Sequence, residues 1–170
     1  HWTQNRYALF RRLWRALYSL NSMKTSLKIS IGNLEHGWFP ITVTTESDEL
    51  LIDASDVPID PIIQLVEATE KCLFNNFESE AWMHLEPNYY KWQFVPSGNI
   101  VNLTINYVEE NYSVSSPDNK VEKSQLVLTW SGEKKALLLS VWRGVKEFAS
   151  REKDYLKVVA FLESKVNEKQ

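Results

Sequence analysis

Cysteine occurs once in the 170 residues, at Cys72, so an internal disulfide is excluded. A lone thiol fits a reducing compartment better than a disulfide-stapled secreted scaffold, and a cytoplasmic location is expected. Glycine is scarce as well, with five in the chain. Nowhere do they fall in the Gly-x-x-x-x-Gly-Lys-Ser/Thr order that a phosphate-binding loop needs. The histidines are His1, His36 and His84, without the paired spacing or the Cys-x-x-Cys of a metal site. No Gly-x-Ser-x-Gly elbow is present, and one cysteine without a placed histidine is weak material for a nucleophile. These shortages leave catalysis without positive support, and neither a cofactor nor a metal is expected. No run of about 18 apolar residues interrupts the polar background, so a membrane-spanning helix is excluded on length.

What the chain does have is ordinary globular material: 44% hydrophobic and 24% charged residues. The net charge of −3 conceals an asymmetry. Residues 1–22 hold Arg6, Arg11, Arg12 and Arg15 and no acid, whereas the rest holds 15 basic against 22 acidic residues, a net −7. Within the arm, Leu9, Phe10, Leu13, Trp14, Leu17 and Leu20 recur at threes and fours, the stripe of an amphipathic helix. A basic helix of this kind suits a membrane surface, an acidic groove or nucleic acid, or simply docks on the body. Because Met23-Lys24 reads as a natural start, residues 1–22 are equally open to being a leader or an appended upstream segment.

From Met23 onward, over 23–170, the period changes to alternation. Leu27, Ile29 and Ile31 face one way, Gly32-Asn33 suggests a turn, and Phe39, Ile41 and Val43 repeat the pattern before Leu50 and Ile52. Pro58, Pro61 and a capping Asp56 or Asp60 announce a helix with Ile62, Leu65, Val66, Thr69 and Leu73 on one face and Cys72 beside it. Alternating Ala81-Met83-Leu85, Tyr90-Trp92-Phe94, Val101-Leu103-Ile105-Tyr107 and Leu126-Leu128-Trp130 predict four more strands. Turns fall at Glu86-Pro87-Asn88 and Pro96 to Asn99, and a polar loop runs roughly from Ser113 to Glu122. Two closing helices follow, one carrying Leu138, Val141, Trp142, Val145 and Phe148, with Gly144 as a weak point, the other Tyr155, Val158, Val159, Leu162 and Val166. The expected fold is α+β. An antiparallel meander sheet of about six to seven strands packs against one inserted helix and two C-terminal helices, with the N-terminal amphipathic helix added.

Glu80 and Glu86 fall on one expected strand face with His84 and form the carboxylate pair to consider for acid–base work, although a solvent face explains them more simply. A body at −7 repels phosphate, so nucleic acid is not expected to bind it. At least one of Trp38, Trp82 and Trp92 is expected at a sheet surface, where an aromatic side chain makes an effective contact anchor.

Leu34-Glu35-His36-Gly37-Trp38, the Asp60-Pro61 helix start and Glu86-Pro87-Asn88-Tyr89-Tyr90-Lys91-Trp92 carry a resemblance to an uncharacterised bacterial family of small single-domain proteins. That family shows Glu-Pro-Gly, two variable residues, Arg and Trp at the last motif; here Asn88 stands for the glycine and Lys91 for the arginine. The resemblance runs from Leu34 to Tyr107 and implies no activity. The layout is also similar to small immunity proteins of bacterial toxin systems, which are often acidic because many of their toxins are basic nucleases. That similarity implies a non-enzymatic protein-binding module with a basic toxin domain as its partner. Contact residues are then expected at Glu35, His36, Trp38, Glu86 and Lys91. The alternatives are a small-ligand protein or enzyme with a pocket between sheet and helices, and peripheral membrane contact through the N-terminal helix.

Overall fold

The computed structural model describes residues 26–112 and 120–167. Among them the fold is α+β, with strands β1 (Lys28–Ile31), β2 (Trp38–Thr44) and β3 (Glu49–Ser55) followed by helix α1 (Pro61–Phe74). Then come β4 (Ser79–His84), β5 (Tyr89–Ser97), β6 (Ile100–Tyr112), β7 (Lys120–Glu133), helix α2 (Lys134–Ala149), a 3₁₀ turn at Lys153–Tyr155 and helix α3 (Leu156–Asn167). The expected helix over residues 1–22 lies outside the described residues, as does most of the expected Ser113–Glu122 loop.

The strands do not form one sheet. They form two antiparallel meanders, β1-β2-β3 and β4-β5-β6-β7, separated in the chain by α1. The physical reason lies at the strand edges. In an antiparallel ladder every second residue turns its N–H and C=O away from its partner. On β4 the outward-turned residues are Glu80, Trp82 and His84, and the middle one, Trp82, donates its N–H to Gln64 Oε1 at 3.1 Å while its C=O accepts from Gln64 Nε2 at 2.9 Å. One glutamine amide on α1 thus takes the place that a neighbouring strand would have filled. Ser79 Oγ adds a bond to Ala68 O at 2.6 Å. With its edge satisfied by a helix, β4 starts a second sheet.

The edge of β1 is closed in the same manner by α2 and the turn that follows it. Ile29 N–H donates to Ser140 Oγ at 3.0 Å, and Ile31 C=O accepts from the Arg151 guanidinium at 2.7 Å. One turn beyond Ser140, a Cβ added at Gly144 would lie 2.5 Å from Ile29 O, so only glycine lets the helix come this close. The two sheets and three helices share one continuous core. The alternating residues supply it, Ile29, Ile41, Val43, Ile52, Trp92, Phe94, Leu103 and Ile105 all being buried with Leu65, Cys72, Val141 and Phe148.

The first hairpin departs from expectation. Its tight turn is His36-Gly37, both at positive φ (53° and 86°), clasped by paired Glu35 and Trp38 backbone bonds of 3.1 and 2.9 Å. Gly32 remains in register, its N–H donating to Pro40 O at 2.7 Å, so Gly32-Asn33 is not a turn. Asp60 caps α1, its Oδ1 accepting from Ile62 N–H at 2.7 Å and Ile63 N–H at 3.1 Å.

Ser140→Ala leaves the Ile29 N–H buried without a partner and is expected to cost about 1–3 kcal/mol. Gly144→Ala gains helix propensity but forces α2 off β1, for a net loss of about 1–2 kcal/mol. Urea unfolding checks both; an unchanged midpoint for either would show that the edge is not held this way.

Candidate interaction surface

Three connections meet at one end of the first sheet. The His36-Gly37 turn touches the β3–α1 loop, because Gly37 C=O accepts from Asp56 N–H at 2.9 Å and the Asp56 carboxylate sits where a Gly37 side chain would be. Trp38 pairs with Ser55 across the β2–β3 ladder. Ser55 is buried, and its Oγ donates to Glu86 Oε1 at 2.6 Å, bringing in the turn between β4 and β5. That turn closes through Leu85 N–H to Asn88 O at 2.7 Å, with Glu86 at φ 50°. Positive φ at His36 and Glu86, neither a glycine, is a backbone cost that the surrounding bonds hold in place.

Around this junction the exposed side chains are of two kinds. Trp38 is 36% exposed, Val57 57% and Ile59 53%, three apolar groups in water. Glu35, Asp56 and Glu86 are exposed acids beside them. Of the expected contact residues, Glu35, His36, Trp38 and Glu86 therefore sit on connected turns. Lys91 does not join them. It lies on the outer face of the second sheet, 2.9 Å from Glu80 and with its Nζ 5.6 Å from the Trp82 ring centroid. Glu80 also accepts from Gln93 at 3.1 Å. Burial works to raise its carboxyl pKa, but the bonds from Lys91 and Gln93 outweigh it and hold it below the usual range. The expected Glu80–Glu86 pair is corrected as well, since Glu86 lies beyond the end of β4, in the turn that Ser55 grips.

Sequence reasoning did not single out Asp56-Val57-Pro58-Ile59-Asp60 as a surface. Its signal was an aperiodic Val and Ile set among prolines and aspartates, apolar residues where a loop is ordinarily polar. Behind the loop, Asp60 uses its second carboxylate oxygen to accept from Tyr155 OH, whose ring stands 5.0 Å from Phe148 and 6.4 Å from Phe39. Burial pushes the Tyr155 hydroxyl pKa well up, reinforced by the bond to Asp60 and by the charges of Asp60, Asp56 and Glu152. Burial raises the buried Cys72 thiol too, which leaves it a poor nucleophile.

Two open clefts of about 370 and 470 Å³ lie elsewhere, the first between the end of α1 and β4–β5, the second between the β2–β3 turn and β6–β7. Neither is lined by Glu35, His36 or His84. Among the described residues no group of three or more His, Cys, Asp and Glu is placed to hold a metal, and no helix is long and apolar enough to cross a membrane. No protein-family model matches the chain, and comparison with curated proteins and with solved structures returns no match either.

The Tyr155 hydroxyl is held protonated in the fold beyond the ordinary value of 10.0, so its contribution is complete below about pH 10 and is lost as pH climbs past that point. Tyr90, raised by burial and by Tyr107, acts in the same direction. Tyr155→Phe is expected to cost about 1 kcal/mol at neutral pH and to flatten the alkaline fall in stability. Denaturant midpoints between neutral pH and pH 11 test this, and an undiminished alkaline fall in the variant would count against it.

Proposed function

We propose that this chain is a non-enzymatic protein-binding module that meets a basic partner at the junction of the His36-Gly37, Asp56–Ile59 and Glu86-Pro87 turns. An immunity-type inhibitor of a bacterial toxin is the specific form of this reading. The resemblance over Leu34–Tyr107, a cytoplasmic location and a basic toxin domain as partner belong to the same proposal. The observation that supports it best is the mixture on one connected surface: Trp38, Val57 and Ile59 exposed between Glu35, Asp56 and Glu86. Apolar groups buried at the centre of a contact supply most of its affinity, and a rim of one charge raises the association rate with an oppositely charged protein. The junction bonds fix these side chains on short turns, so little conformational freedom is lost on binding. Lys91, paired with Glu80 on another face, is not part of the proposed contact.

The test is capture from host lysate by the full chain, by a Trp38→Ala/Ile59→Ala double variant, and by Phe77→Ala as an exposed control at the far end of α1. The expected captured protein is basic, its retention falls about tenfold in the double variant and is kept by the control, and binding weakens as salt rises. Capture that ignores both the double substitution and ionic strength would end this reading.

A further inference from the structure

The outer strands of the two sheets are β1, β3, β4 and β7, and their free edges differ. On β1 and β4 the central outward groups, Ile29 N–H, Ile31 C=O and both groups of Trp82, are taken by Ser140, Arg151 and Gln64. Exposed edges that must not pair with other chains are commonly blunted by lysine, proline or a bulge. On β7 two of these devices are present: the exposed Lys123 lies within it, and its register shifts opposite Ile105/Asn106. On β3 there is none. It runs seven residues, Glu-Leu-Leu-Ile-Asp-Ala-Ser, in unbroken register with β2.

The bonding parity of β3 is fixed at both ends. Thr45 N–H donates to Asp48 O and Asp56 N–H to Gly37 O, so Leu50, Ile52 and Ala54 bond to β2 while Glu49, Leu51 and Asp53 turn their N–H and C=O outward. Among the described residues those outward groups have no hydrogen-bond partner. The side chains of the same three residues are exposed, Leu51 to 62%. They alternate acid, apolar, acid. The one cation on that sheet face among the described residues, Lys28, is a full strand away, with Thr44 between it and Glu49. Following the outward series, the next residue is Ser55, which grips Glu86, so the edge runs directly into the proposed contact surface.

We propose that the β3 edge receives an extended segment of the basic partner as an added strand. Lysine or arginine at alternate positions would face Glu49 and Asp53, and an apolar residue between them would face Leu51. Main-chain bonds would give this contact its affinity and the charge pattern its selectivity. The inference rests on the binding reading above and names the form and chemistry of the segment recognised.

The probe is a synthetic peptide repeating lysine, threonine, valine, threonine, added to the full chain while amide exchange is followed residue by residue. A second peptide carries N-methyl groups on the amides that would face β3, keeping its charge but unable to pair. At about 1 mM of the first peptide, exchange at Glu49, Leu51 and Asp53 is expected to slow about tenfold, with Leu50, Ile52 and the β7 amides unchanged. The N-methylated peptide is expected to do nothing, and Leu51→Lys to abolish the slowing while the variant stays folded. No slowing at all, equal slowing by both peptides, or slowing on β7 instead would overturn the strand-addition proposal. Capture of the lysate partner separates the two ideas. If Trp38→Ala/Ile59→Ala loses it and Leu51→Lys does not, the junction surface stands and the edge proposal falls. If neither variant loses it, the binding reading itself is gone.

Discussion

Ile29 offers both of its outward backbone groups to a single helix: its N–H reaches Ser140 Oγ, and its C=O sits against the Cα of Gly144. That bond joins residues 111 apart in sequence and holds the first and last thirds of the chain at backbone contact distance. Buried main-chain polar groups have to be paired, so the depth to which α2 can approach β1 is set by what lies on the helix at those two positions. The rest follows from that spacing. Phe148, on the same helix, reaches Phe39 of β2 at 5.7 Å, and Tyr155 beyond it reaches both rings and the Asp60 cap of α1. The cap orients α1, α1 brings Gln64 to β4, and the second sheet is thereby placed against the first. A chain of polar contacts at element edges therefore orders a core whose apolar side chains alone would accept many arrangements.

This explains which parts of the fold the sequence made readable. Alternation reports the face on which a side chain lies, and where the ladder is regular it held, Ile29 and Ile31, Phe39, Ile41 and Val43, and Val101, Leu103 and Ile105 being buried. Leu126, expected on one face with Leu128 and Trp130, is exposed because the register shifts between it and Leu128. Alternation carries no information about which strand lies alongside, so seven strands in two meanders looked the same as seven in one. The residues that decide the partition read as unremarkable. Gln64 resembles any polar helix residue, Ser140 breaks an apolar stripe, and Gly144 looked like a weak point where it is a point of closest approach.

The candidate surface divides along the same line. Glu35, His36, Trp38 and Glu86 stood out because they lie in the two short motifs that carry the resemblance, and short motifs are legible without knowledge of the fold. Lys91 was attached to them by a motif that begins in the β4–β5 turn and continues into β5, where alternate positions face opposite ways. Its partners are therefore Glu80 and Trp82, which are across the ladder rather than along the chain. Val57 and Ile59 could only be recognised as exposed once α1 was placed, because an apolar pair next to a helix start ordinarily folds back onto it.

The management of the four strand edges bears on specificity. An open edge with an exposed leucine invites a second copy of the same chain, and the simplest self-pairing is antiparallel about a two-fold axis. Centred on Leu51, that arrangement places Glu49 of one copy opposite Asp53 of the other, twice over, and like charges directly opposite destabilise a ladder. Lysines on this edge would resist self-association equally well, but they would also repel a basic strand. Acids at the same two positions reject the copy and favour the cation, so one pair of side chains discriminates in both directions. The central groups of the β1 and β4 edges are taken by Gln64, Ser140 and Arg151, whereas among the described residues the acidic β3 edge has neither such a partner nor a lysine or bulge.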